Sequence, residues 1–231
     1  MRQVIAIGGG GFGRTHESNL IEQYILDQSI KTAPNICFIP TATGDLDQYL
    51  VNFYTVFSKL KCNPSHISLF KRTIDLEAHI ANQDIVFVGG GNTKSMLAVW
   101  KDWHLDKFLK DAYNKGTVMS GVSAGAICWF GQGLSDSWAD KLRMISCLSF
   151  IPGGCAPHYD EEPERRPATK VMLESKTIDF MYGIEGGTAL HFIDEKPYQS
   201  VQFKKNKHAY YVTYNDNKVI EEPYGVFDLT L

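Results

Sequence analysis

Thr117-Val118-Met119-Ser120-Gly121-Val122-Ser123-Ala124-Gly125-Ala126 passes from a strand-length apolar run, through G-x-S-x-G, into small residues that open a helical pattern. That is the context a nucleophile elbow requires. A serine in such a turn presents its hydroxyl from a strained backbone. Glycines two positions to either side, here Gly121 and Gly125, remove side chains that would strike the neighbouring strand or helix. The Ala124 N–H, at the start of the helix, is placed to stabilise an oxyanion.

Outward from this segment the same alternation of strand, turn and helix recurs. Residues 4–7 run into Gly8, residues 36–39 into Pro40-Thr41, and residues 85–88 into Gly89-Gly90-Gly91, with residues 66–70 a weaker strand candidate. Residues 45–60 and 93–113 carry helical periodicity, with Leu97, Trp100, Leu105, Phe108 and Leu109 on the apolar side. Continuous apolar strands imply burial on both faces. The expected architecture is α/β: a three-layer, doubly wound, mostly parallel sheet with helices on both faces. Beyond about residue 185 the pattern changes. Residues 188–193, 200–203 and 209–214 read as strands, the last two joined by the polar turn at 204–207. They predict an antiparallel extension over 195–231 of a single domain spanning 1–231. The charge run at 160–166 (DEEPERR) reads as a solvated helix start.

Composition excludes several classes. Of 231 residues 44% are hydrophobic, and 23 Lys+Arg face 26 Asp+Glu for a net charge of −3, so a core is affordable and disorder is ruled out. Nothing in that charge favours a nucleic-acid backbone or an anionic membrane as partner. The five cysteines are odd in number and form no C-x-x-C pair, which reads as reduced thiols in a cytoplasmic protein without a zinc or redox motif. The N-terminus lacks the apolar core and cleavage site of a signal peptide, and no run approaches the roughly 20 apolar residues of a membrane span.

In an open α/β sheet the loops leaving the carboxyl ends of the strands hold the ligand. The loop Gly8-Gly9-Gly10-Gly11-Phe12-Gly13 contains G-x-G-x-x-G, a weak dinucleotide signal. The ribose-binding acid expected after the second strand is missing, because the chain there reads Ile39-Pro40-Thr41-Ala42-Thr43. A nicotinamide oxidoreductase is thus a distant alternative. The loop Gly89-Gly90-Gly91-Asn92-Thr93 should lie beside the elbow and supply a second oxyanion donor. Of seven histidines, His158 follows an apolar run in a proline-stiffened loop and is preferred as the base for Ser123 over its rival His16. Glu185, in a tight turn before a strand, would orient the imidazole, with Asp136 and Asp160 as competitors. The chain order Ser, His, Glu differs from that of α/β-hydrolases.

Together, Ile39-Pro40-Thr41-Ala42-Thr43, Val88-Gly89-Gly90-Gly91-Asn92-Thr93, Gly121-Val122-Ser123-Ala124-Gly125-Ala126, Pro157-His158-Tyr159 and Gly183-Ile184-Glu185-Gly186-Gly187 resemble the peptidase E family of serine peptidases, S51, over about residues 1–193. The resemblance implies a fold like the class I glutamine amidotransferase domain with serine in place of its cysteine. It also implies hydrolysis of small peptides, aspartyl dipeptides being the best-known substrates, without metal or cofactor. Carried over, the nucleophile matches Ser123, the histidine His158, the glutamate Glu185, and the oxyanion donors the backbone of Gly91 and Ala124. Asn92 is a further substrate-binding candidate. An aspartate implicated downstream of the elbow in some members has Asp136 as its candidate match. The arginine that holds a substrate aspartate in some members has Arg165 or Arg166 as its nearest match. The chain departs from the familiar G-E-T-R-like stretch after the histidine, reading Glu161-Glu162-Pro163-Glu164-Arg165-Arg166. It also carries apolar Ile127-Cys128-Trp129-Phe130 after the elbow, as a divergent branch would. Two other activities fit the same sequence: an isopeptide or cyanophycin-type amide hydrolase, and a non-catalytic binding domain on the same scaffold.

Overall fold

Alternate side chains of each apolar run go to opposite faces of one sheet, and both faces are covered. In the computed structural model, which describes residues 1–12 and 19–231, the first half of the chain forms β1 (Gln3–Ile7), α1 (Leu20–Leu26), β2 (Asn35–Ile39), α2 (Asp47–Phe57), β3 (Asn63–His66), α3 (Leu76–Ala81) and β4 (Ile85–Val88). Then follow α4 (Thr93–Asp102), α5 (Leu105–Lys115), β5 (Val118–Val122), α6 (Ala124–Ile127), β6 (Phe130–Ser135), β7 (Arg143–Ser146) and β8 (Ile151–Ala156). The chain ends with α7 (Arg165–Glu174), β9 (Met181–Ile184), β10 (Thr188–Ile193), β11 (Lys196–Gln202), β12 (Ala209–Asn215), β13 (Lys218–Pro223) and β14 (Val226–Asp228).

The main sheet has the order β14-β11-β10-β1-β5-β4-β2-β3. From β1 to β3 every pairing is parallel; β10 and β11 then add antiparallel strands. Ile5, Ile7, Phe38 and Phe87 pack with Ile21, Ile25, Phe53 and Phe57 of α1 and α2 on one face. Val4, Ala6, Val86 and Val88 pack with Met96, Trp100, Leu105 and Leu109 of α4 and α5 on the other. Helices thus cover both faces of a mostly parallel sheet, the α/β class expected.

The C-terminal half differs from expectation. A second sheet, ordered β13-β12-β9-β8-β6-β7, holds strands the residue pattern does not announce. Its Phe130, Ile151, Tyr182 and Ile184 share a core with the main sheet, while Leu134, Ala156, Met181 and Val212 face Leu173 of α7. The 195–231 segment is therefore divided: β11 and β14 extend the main sheet, whereas β12 and β13 extend the second one. The polar turn at 204–207 joins two sheets and not the arms of one hairpin. The weaker strand expected at 66–70 is Asn63–His66 in fact. No described helix is long and apolar enough to cross a membrane, and all five cysteines are unpaired.

Candidate active site

Register places the glycine loops side by side. Val122 of β5 lies opposite Ile7 of β1, and Gly121 opposite Val88 of β4. The loops after β1, β4 and β5 therefore leave the sheet as neighbours, at the carboxyl ends where ligands bind. Ser123 has φ 58° and ψ −113°, a conformation non-glycine residues rarely adopt and one that costs of order 1–3 kcal/mol. The surrounding packing holds it there. The Ser123 N–H donates to the Ile7 carbonyl at 3.1 Å. A β-carbon on Gly121 would lie 2.5 Å from the Gly125 carbonyl, and one on Gly125 would overlap the Val88 carbonyl. Both flanking glycines are thus steric necessities of the turn, for the reason expected from the motif.

Gly91 has φ +136°, and a β-carbon there would overlap the Ala42 carbonyl. The Asn92 N–H bonds that carbonyl at 2.8 Å, so the loop after β4 is pinned to the turn Thr41–Thr43 that follows β2. Gly90, Gly91, Ser123 and His158 border one cavity of about 390 Å³, also lined by Thr43, Leu46, Gln48, Tyr49 and Asn52. Ala124 is the first residue of α6, so its N–H has no carbonyl one turn earlier to bond.

His158 comes from the second sheet, two residues after β8. Its backbone is also strained, at φ +52°, and its N–H donates to the Gly8 carbonyl at 2.9 Å. The imidazole is buried. Its Nε2 lies 2.9 Å from Ser123 Oγ, and its Nδ1 lies 2.6 Å from Glu161 Oε2. The acceptor on the imidazole is therefore Glu161, three residues along the same turn, and not Glu185. That corrects the expected assignment. The Glu185 carboxylate accepts instead from the His208 N–H at 2.9 Å, Arg166 Nη2 at 3.2 Å and the Tyr210 hydroxyl at 3.4 Å, and none of these bonds reaches His158. Asp160 accepts from the Gly186 N–H at 2.8 Å and from Lys207 Nζ. Asp136 is exposed, 4.0 Å from Arg165. The signal for Glu161 was present in the sequence as His158-x-x-Glu161, at the head of a charge run that reads more simply as solvated.

Gly9 of the first loop now has a reason that needs no nucleotide, and Gly186 shares it. A β-carbon on Gly9 would lie 2.6 Å from Glu161 Oε2 and 2.8 Å from His158 Nδ1, and one on Gly186 would overlap the Glu161 carboxylate. Gly13 and the rival base His16 lie outside the described residues. Among the described residues no group of three or more His, Cys, Asp or Glu side chains is placed to hold a metal.

The substrate-binding candidates are engaged elsewhere. Arg165 is 1% exposed, with Nε on Glu162 and Nη1 on the Leu134 carbonyl, each at 2.6 Å. Arg166 is held by Glu185 and Glu221; burial works against its charge, but the Glu221 carboxylate more than offsets this and raises its pKa. Asn92 caps α4, accepting from the Ser95 N–H at 2.8 Å. None of the three borders the cavity.

A parallel α/β sheet with serine, imidazole and carboxylate in hydrogen-bonded series above its carboxyl edge defines a hydrolase-like class of protein. Peptidase family S51 matches residues 4–199. The chain belongs to that family and is a peptidase. It is 43% identical over 227 residues, 98% of each chain, to the uncharacterized peptidase YgaJ of Bacillus subtilis (strain 168). It is 24% identical over 189 residues to peptidase E of Haemophilus influenzae (strain ATCC 51907 / DSM 11121 / KW20 / Rd), covering 76% of this chain and 83% of that one. The crystal structure of a peptidase from an acI-B1 Actinobacterium is similar with a TM-score of 0.66 at 17% identity, over 96% of this chain and 97% of that one; this likeness is one of fold.

Proposed function

We propose that the protein is a cytoplasmic serine peptidase acting on small peptides through an acyl-enzyme, on a scaffold of the class I glutamine amidotransferase type. The observation that carries this is the unbroken series Ser123 Oγ, His158 Nε2, His158 Nδ1 and Glu161 Oε2, at 2.9 and 2.6 Å. His158 Nε2 takes the Ser123 proton as Oγ attacks the scissile carbonyl, and Glu161 holds Nδ1–H and stabilises the imidazolium that forms. The tetrahedral oxyanion lies against the N–H groups of Gly91 and Ala124. Its collapse expels the amine, which receives the proton from His158. Water, deprotonated by the same imidazole, then attacks the ester and returns Ser123 to its hydroxyl form.

Dipeptides suit a cavity of this size. A preference for N-terminal aspartate that relied on Arg165 or Arg166 lacks support, because both guanidinium groups are paired away from the cavity. Turnover of a dipeptide panel, with fluorophosphonate labelling and mapping of the modified peptide, tests the proposal. Ser123→Ala should lose activity by several orders of magnitude and take no label. Equal turnover by both proteins, or a label on another residue, would remove Ser123 from the mechanism.

A further inference from the structure

We infer that Arg166 is a positioning residue for the His158 imidazole, acting through Tyr159; this rests on His158 being the base for Ser123. His158 keeps φ +52° without being glycine, so its conformation must be imposed by what holds its neighbours. Tyr159, the next residue, is 1% exposed and fixed on every side. Its N–H donates to the Ile184 carbonyl at 3.1 Å. Its ring lies on Gly183, where a β-carbon would stand 2.7 Å from Cδ1. Its hydroxyl donates to Glu221 Oε1 at 2.6 Å; burial and that carboxylate push the phenol pKa up, so it stays a donor.

The Arg166 guanidinium lies over the ring, 4.3 Å from its centroid and 5.3 Å from that of Tyr210. The same group bridges the Glu185 and Glu221 carboxylates. One cation therefore joins the end of β9, the strand β13 and the aromatic floor beneath the His158 turn, and keeps two carboxylates together that would otherwise repel. Without it Glu221 loses its charge partner and the ring its cover, and Tyr159 shifts. A displacement of about 1 Å at a catalytic group is enough to cost up to a hundredfold in rate.

The test compares Arg166→Met and Arg166→Lys with wild type and His158→Ala. It uses steady-state kinetics on dipeptides with acidic and neutral side chains, the rate of Ser123 labelling by a fluorophosphonate, and thermal melting. Arg166→Met should lower kcat on every peptide and the labelling rate together, by about tenfold to a hundredfold, with KM within about twofold. Arg166→Lys, which keeps the charge but not the planar fork, should fall between. Labelling at the wild-type rate would overturn the inference, and a rise in KM confined to acidic peptides would overturn it and make Arg166 a substrate ligand. Should Arg166→Met fail to fold, Glu221→Gln supplies the same reading: a parallel fall in kcat and labelling supports it, and unchanged labelling overturns it. His158→Ala labelled as fast as wild type would overturn the base assignment itself, whereas slow labelling there beside wild-type labelling of Arg166→Met overturns the positioning role alone.

Discussion

Glu161→Gln against Glu185→Gln separates the two carboxylates that compete for the imidazole. At the 2.6 Å between His158 Nδ1 and Glu161 Oε2, unit charges attract by about 6 kcal/mol at an effective dielectric near 20 and about 3 kcal/mol near 40. The Glu161 side chain is 35% exposed, so screening favours the lower figure. Glutamine removes that attraction to the developing imidazolium and can offer its NH₂ to Nδ1, favouring the wrong tautomer. The expected fall in kcat is about 10²- to 10⁴-fold, while KM and the melting temperature change little. Glu185→Gln leaves the 2.6 Å contact in place and should cost at most about tenfold. The assay is kcat for one good dipeptide across pH 5 to 9, with the rate of Ser123 phosphonylation as a substrate-independent check. Near-wild-type turnover by Glu161→Gln, beside a thousandfold loss in Glu185→Gln, would refute the assignment and return Glu185 to the relay.

Gly9→Ala should lower kcat by about a hundredfold without touching Ser123, because the new methyl stands 2.6 Å from Glu161 Oε2 and 2.8 Å from His158 Nδ1; a fully active Gly9→Ala enzyme would show that this pair is not what the loop protects. Gly125→Ala drives a β-carbon into the Val88 carbonyl and should destabilise the fold by about 3 kcal/mol or more in urea unfolding. His191 is fully buried between the Tyr24 hydroxyl and Gln3 Oε1, and burial lowers its pKa from 6.5 to about 4. The unfolded chain binds that proton first, so its contribution is complete above pH 6.5 and is lost as pH falls toward 4, by about 3 kcal/mol. Urea midpoints at pH 7 and pH 4.5 should show a drop that is smaller in His191→Gln, and equal drops in both would remove His191 as the cause.

Much of the fold was legible because its signals are local. Apolar runs such as Val4–Ile7 that end in glycine need no distant information to be read as buried strands, and Gly121, Ser123 and Gly125 specify a turn by sterics within five residues. The second sheet was hidden for the opposite reason. Phe130–Ser135 and Ile151–Ala156 carry glycines and a proline that weaken any strand pattern, and they form strands only because neighbouring strands and a shared core complete them.

By itself, then, the sequence determined the parallel core and the strained serine turn, since each is written in contiguous residues whose conformational limits follow from their own chemistry, and it preferred His158 over His16 as the imidazole beside that serine. Only the tertiary structure decided which carboxylate meets that imidazole. In the linear chain Glu185, in its tight turn, reads as the orienting acid, and Glu161 as one more charge in a solvated run. The difference lies in the close packing of Gly9 and Gly186 around Glu161, and in the His208 N–H and Arg166 that occupy Glu185, contacts made between residues up to about 150 positions apart.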